Sequence, residues 1–116
     1  MAFTDDEIAE YTGSIEQLFW SRRRPPLQVR EQMREGQRFA GQSIEFFFVR
    51  PAFDCPGQFT EESIAKISYV RARGVWQLFW KRADGKWHGY QPCRETKSLA
   101  AALRTIDADA FHCFFG

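Results

Sequence analysis

No stretch of this chain approaches the roughly 18 consecutive apolar residues that suggest a membrane span. Its opening, MAFTDDEIAE, is acidic where a secretory signal needs an apolar core. No membrane partner is expected. Cysteine is scarce: Cys55, Cys93 and Cys113 form an odd, widely spaced set that makes no disulfide framework. These absences point to a reduced compartment, the cytoplasm. Histidine is scarcer still. His88 and His112, taken with the cysteines, offer no CxxC or HxxxH spacing, so no metal site is expected. No cofactor motif occurs either, and no cofactor is expected. Charge of one sign is missing: 16 bases against 15 acids leave a net charge of +1, with no bulk electrostatic case for nucleic acid. Repeats are absent apart from the echo of LFWSR (18–22) in LFWKR (78–82), which falls in two different structural contexts and is read as coincidence.

What the chain does have is rings. Aromatics make up 16% of its 116 residues, 12 of them phenylalanine, which implies a core or an interface built from them. The length fits one domain, residues 1–116, large enough for a core without staples. Charge is unevenly spread. Residues 1–16 carry five acids and no base. Residues 22–38 carry six arginines against two glutamates, and residues 66–97 carry eight bases against Asp84 and Glu95. The ordinary reading is that acids and bases meet in the fold and cancel. The sharper one is a basic face.

Periodicity gives the order of elements. Thr4 and Glu7 form a capping box before a helical stripe of Ile8, Tyr11, Ile15, Leu18 and Phe19, and Pro25-Pro26 ends the helix near residue 20. Residues 27–39 fit either a short helix or a strand, with a strand over roughly 30–39 favoured because Gly36 disfavours a helix interior; Ala40-Gly41-Gln42 reads as a turn, and SIEFFFVR (43–50) as a strand. PAFDCPGQFT (51–60) is a loop, and SIAKISYVR (63–71) alternates as a third strand. After Pro92, Thr96 or Ser98 caps a last helix burying Leu99, Ala102, Leu103 and Ile106. The tail is expected to pack through Phe111, Phe114 and Phe115. The fold class is α+β and two-layered: about five antiparallel strands with an N-terminal and a C-terminal helix packed on the sheet.

VWQLFWKRADGKWHGY (75–90) holds three of the four tryptophans. Asp84-Gly85 signals a two-residue hairpin turn. That register sets Phe79 opposite Tyr90 and Trp80 opposite Gly89. One face then carries Trp76, Leu78, Trp80, Arg82 and Trp87, and reads as core. The other carries Val75, Gln77, Phe79, Lys81, Lys86, His88 and Tyr90, and reads as half-wet. A slip of one residue exchanges the faces.

The strings PP…VR (25–30), G-x-S-I-E-F-F-F-V-R-P (41–51), A-K-I (65–67), W-x-L-F-W (76–80), K-W-H-x-Y (86–90) and I-D-A-D…C-F-F-G (106–116) together resemble the bacterial family catalogued as domain of unknown function 3024. The resemblance covers nearly the whole chain, and the W-x-L-[FY]-W…W-H-x-Y pair is its most specific part. It implies a small stand-alone bacterial protein and no assigned activity. The family-like positions are Arg50, Pro51, Lys66, Trp76, Trp80, Arg82, Trp87, His88, Tyr90, Asp107, Asp109 and Gly116. The family often has an acid where this chain has Phe48, and the cysteines at 55 and 93 are not family features.

The candidate ligand-binding residues are Arg50, Lys66, Phe79, Lys81, Arg82, His88, Tyr90, Asp107 and Asp109. No catalytic residue is assigned. Aromatic excess without a catalytic constellation favours a non-enzymatic binding or interaction module, with another protein or a second copy as partner. Bases beside rings on a sheet also suit single-stranded nucleic acid, through Arg22–Arg24, Arg71, Arg73, Lys86 and the hairpin. A metal-dependent hydrolase or nuclease would need Asp107, Asp109 and Lys66 to converge. As helix-end acids, Asp107 and Asp109 require cationic partners, with Lys66, Arg50 or Arg82 as candidates.

Overall fold

The computed structural model describes residues 2–115, so Gly116 of the family-like string lies outside the described residues. Its chain begins with α1 (Asp5–Ile15), capped as the sequence indicates. Thr4 Oγ1 accepts from the Glu7 amide and Glu7 Oε1 accepts from the Thr4 amide. The helix then widens into a π turn over Glu16–Trp20 before a last α turn, Ser21–Arg23. This insertion changes which side chains face inward. Phe19 and Trp20 are both buried, whereas Leu18, expected in the stripe, is 43% exposed. An unbroken 3.6-residue period would have buried Leu18 instead.

Six strands follow: β1 (Arg34–Ala40), β2 (Ser43–Pro51), β3 (Phe59–Val70), β4 (Val75–Lys81), β5 (Trp87–Gly89) and β6 (Glu95–Thr96). They form an antiparallel meander in sequence order, except that β6 returns to pair with β4 beside β5. Between β5 and β6 the chain makes a 3-10 turn, Gln91–Cys93. The Tyr90 amide donates to the Leu78 carbonyl and the Leu78 amide to the Arg94 carbonyl, so this detour stays tied to β4. α2 (Leu99–Ala108) completes the layer, capped by Ser98. The protein is therefore α+β, with the sheet, the N-terminal helix and the C-terminal helix that the sequence indicates. No helix among the described residues is long and apolar enough to cross a membrane.

The helices cover one sheet face, called inner here. Ile44, Phe46, Ala65, Ile67, Trp76 and Leu78 meet Ile15, Phe19, Ala102, Leu103 and Ile106 there in one buried cluster. Much of it is aromatic. Trp76 contacts Phe3, Tyr11 and Tyr69, and Phe19 contacts Trp20, Phe46 and Phe115. Each such ring pair contributes about 0.5–1.5 kcal/mol beyond the area it buries. A bulge in β3 skips Ile64 between the Phe46–Ala65 and Phe47–Ser63 pairs. Ile64 and Ala65 are consequently both buried, and the alternation read from the sequence breaks there.

The third strand begins at Phe59, earlier than the sequence suggests, because β2 and β3 extend as a wet arm. Arg38 bridges Glu45 and Glu61, and Arg50 pairs with Glu62. With water on both faces, the arm has no apolar alternation to read. The expected aromatic tail holds for Phe114 and Phe115, which join the core, but Phe111 is 65% exposed.

Candidate functional site

The outer sheet face is the one the helices leave open. At its β3–β5 end, Lys66 lies opposite Phe79, Phe79 opposite Gly89, and Lys81 opposite Trp87. Alternation along each strand puts Lys66, Phe79, Lys81, Trp87 and Gly89 on this one side. The Lys66 ammonium stands 5.2 Å from the Phe79 ring and 5.6 Å from Trp87, and Lys81 stands 5.1 Å from Trp87. Both rings are half-buried, so each rests on the sheet and keeps a wet side. Beside them opens a cleft of about 400 Å³ lined by Gln77, Leu78, Phe79, Gly89, Arg94 and Glu95. Gly89 leaves its floor low. A Cβ there would sit 3.6 Å from the Arg94 guanidinium, which lies across the glycine.

Most arginines away from this end are ion-paired, with Arg34 and Arg104 as exceptions among the described residues. Arg22, Arg23, Arg24, Arg30, Arg38, Arg50, Arg71 and Arg73 all have carboxylate partners. There the acids and bases cancel, as the ordinary reading of the sequence expects. Among the described residues, Lys66, Lys81, Arg82, Lys86 and Arg94 have no carboxylate within 4.0 Å. Glu95, next to Arg94, is engaged by Arg73 at 2.5 Å. Asp84 is engaged by the Lys86 amide and by His88 Nε2, each at 2.9 Å. Those two partners, the amide first, hold its carboxyl below the usual value.

The hairpin register differs by one residue from the two-residue turn. Trp80 faces His88 and Lys81 faces Trp87, across a three-residue loop, Ala83–Gly85. The Arg82 amide donates to the Lys86 carbonyl and the Gly85 amide to the Arg82 carbonyl, with Gly85 at φ +77°. Gly85 therefore serves as the left-handed bulge residue of a three-residue hairpin rather than the second residue of a tighter one. The first strand keeps its expected faces, and the second exchanges them. Trp87 points outward. His88 turns to the inner face, and Tyr90 is buried at 2% exposure against Phe114. Burial also pushes the Tyr90 hydroxyl up from its ordinary pKa.

The remaining candidates disperse. Arg82 lies 5.6 Å over Trp80, and Arg50 is on the arm with Glu62. Asp107 takes Arg22 and Arg23, at 3.2 and 2.7 Å, instead of Lys66, Arg50 or Arg82. The reason is packing: α2 lies against the π turn, which brings the arginines that follow it to the last turn of α2. Asp109 is buried, at φ +43°, and its carboxylate accepts from the amides of Phe114 and Phe115, both at 2.9 Å. It is a clasp for the tail. Asp107, Asp109 and Lys66 do not converge, and no group of three metal-ligating side chains occurs among the described residues. Trp87, Gly89 and Arg94 are the site residues the sequence reading missed. The one-residue slip that exchanges the hairpin's faces was the signal for Trp87. Nothing local signals Arg94, because the chain's return to β4 places it.

Across residues 3–116 the chain matches the sequence profile described as Domain of unknown function (DUF3024). It belongs to that family. The resemblance read from its motifs is thereby established over essentially the whole chain. No match appears among curated proteins. None appears among solved structures.

Proposed function

We propose that this DUF3024 chain is a non-enzymatic binding module of the bacterial cytoplasm, which holds an anionic partner on the outer face of β3–β5. The observation that carries the reading is a pair of lysines, Lys66 and Lys81, within 5.1–5.6 Å of two half-buried rings, with Arg94 across the adjoining cleft and, among the described residues, no carboxylate within 4.0 Å of any of the three. Solvated lysines weigh little alone. Rings beside them supply apolar area and flat surfaces, which favour a shaped ligand over loose counterions.

The same charge argues against a second copy on this face. A two-fold contact sets each surface on its own image, and these cations would then meet cations. Convergent acids and a nucleophile, which hydrolysis requires, find no support in the geometry. His88 has Asp84 as its side-chain partner.

The test is retention on immobilised polyanion at low salt, comparing the native chain with a Lys66→Glu, Lys81→Glu double variant. The expected result is salt-dependent retention that the double variant loses. An Arg22→Glu, Arg104→Glu control, on the helical side, should keep it. Retention unaffected by the first pair, or abolished only by the control, overturns the reading.

A further inference from the structure

We infer that the anionic partner is a single-stranded nucleic acid whose unstacked bases lie on Trp87 and Phe79 while its phosphates meet Lys66, Lys81 and Arg94. The inference rests on the reading just given. It adds a requirement for flat groups and a spacing. Phe79 faces Gly89 while Trp87 faces Lys81, so the two rings sit diagonally across the β4–β5 pair, two residues out of register. Diagonal neighbours on one sheet face are about 7–8 Å apart. Successive bases stacked in a duplex rise about 3.4 Å. Neighbouring stacked bases therefore cannot each cover a ring, whereas an opened strand can place consecutive bases on both.

Cations are interleaved with the platforms. Lys66 lies between the two rings and Lys81 beside Trp87. Arg94 borders the far side of Phe79, across the low floor at Gly89. Base stacking on aromatic side chains tolerates any sequence, because every base has a flat face. The cations follow the backbone. An acidic protein segment would satisfy the charges and leave the rings without a matching surface.

The experiment is fluorescence anisotropy at low salt with four probes: a labelled oligothymidylate, a duplex of similar length, inorganic polyphosphate and a polyglutamate peptide. The oligothymidylate is expected to bind tightest, with affinity falling steeply as salt rises. Trp87→Ala should weaken it about tenfold or more, and Trp87→Phe much less, since one ring replaces another. Trp87 lies outside the buried cluster, so the variant should fold; circular dichroism checks this. Gly89→Leu, which fills the cleft without changing charge, should also weaken binding. Arg94→Ala should lower the salt slope by about 1. If polyphosphate or polyglutamate binds as well as oligothymidylate and Trp87→Ala changes nothing, the inference fails and the anion-binding reading stands. If the duplex binds tightest, the inference fails. If no probe binds, both fail.

Discussion

The Phe47 ring occupies the space where Gly36 would carry a side chain. A Cβ at position 36 would come within 2.4 Å of Phe47 Cε2. The two residues are paired across β1 and β2, and Arg38 stacks on the same ring at 4.8 Å. This contact explains why Phe47, on the outer face, is only 8% exposed. Gly36→Ala should therefore destabilise by about 1–3 kcal/mol through overpacking. Gly13→Ala is the counterpart: it lies in α1 with nothing within 4 Å of its Cβ position, and should stabilise by about 0.5–1 kcal/mol. Urea denaturation of both variants checks the pair, and equal effects would contradict this account.

Asp109 holds the tail through two amides while its own backbone is left-handed. Asp109→Ala removes both acceptors and places alanine at positive φ. The expected loss is about 2–4 kcal/mol, since hydrogen bonds to a charged group contribute about 1.5–3 kcal/mol and alanine tolerates the left-handed backbone less well than aspartate. Proteolytic release of residues after 109 should accelerate. Asp109→Asn, which tolerates this backbone and keeps one acceptor, should lose less.

Glu7 joins the start of α1 to the β3–β4 turn through the Arg71 guanidinium, at 3.0 and 2.5 Å. That bond first, and the Thr4 amide next, hold its pKa down from 4.5 to about 2. A depressed carboxyl stabilises fully above its unfolded pKa and loses that contribution as pH falls through the folded one. The stability gap between the native chain and Arg71→Gln should thus be present at neutral pH and shrink between about pH 4.5 and 2. Chemical denaturation across that range, with the Glu7 carboxyl followed by NMR, tests the sign. A gap that grows on acidification would refute it.

Gly85 at φ +77° fixes the loop that decides which hairpin side chains face outward. Gly85→Ala should destabilise by about 1–2 kcal/mol, the strain of a left-handed L-residue. It should also broaden the Trp87 and His88 resonances as the register loosens. Sharp, unshifted signals would show that the loop residue does not control the faces.

The sequence carried the helices, the meander and most of the core because those signals are local: a capping box, a proline stop, alternation in SIEFFFVR, and Leu99, Ala102, Leu103 and Ile106 on one helical stripe. It misplaced features that depend on one extra residue. Leu18 and Trp20 exchange roles at the π turn, Ile64 turns inward at the bulge, and Trp87 and Tyr90 exchange sides at the hairpin. An inserted residue leaves composition and spacing nearly unchanged while shifting every later side chain. Of the candidate face, Lys66, Phe79 and Lys81 were legible. Arg94 was not, since a detour of the chain delivers it.

The widened turn in α1 also states what a shorter relative would look like. Ile15, Phe19 and Trp20 are buried at spacings of four and five. Deleting Leu18 contracts those intervals to three and four, the period of an ordinary α-helix. The abridged chain should keep both rings inside and its arginines beside Asp107, so loss of one residue here should leave the core's contacts intact.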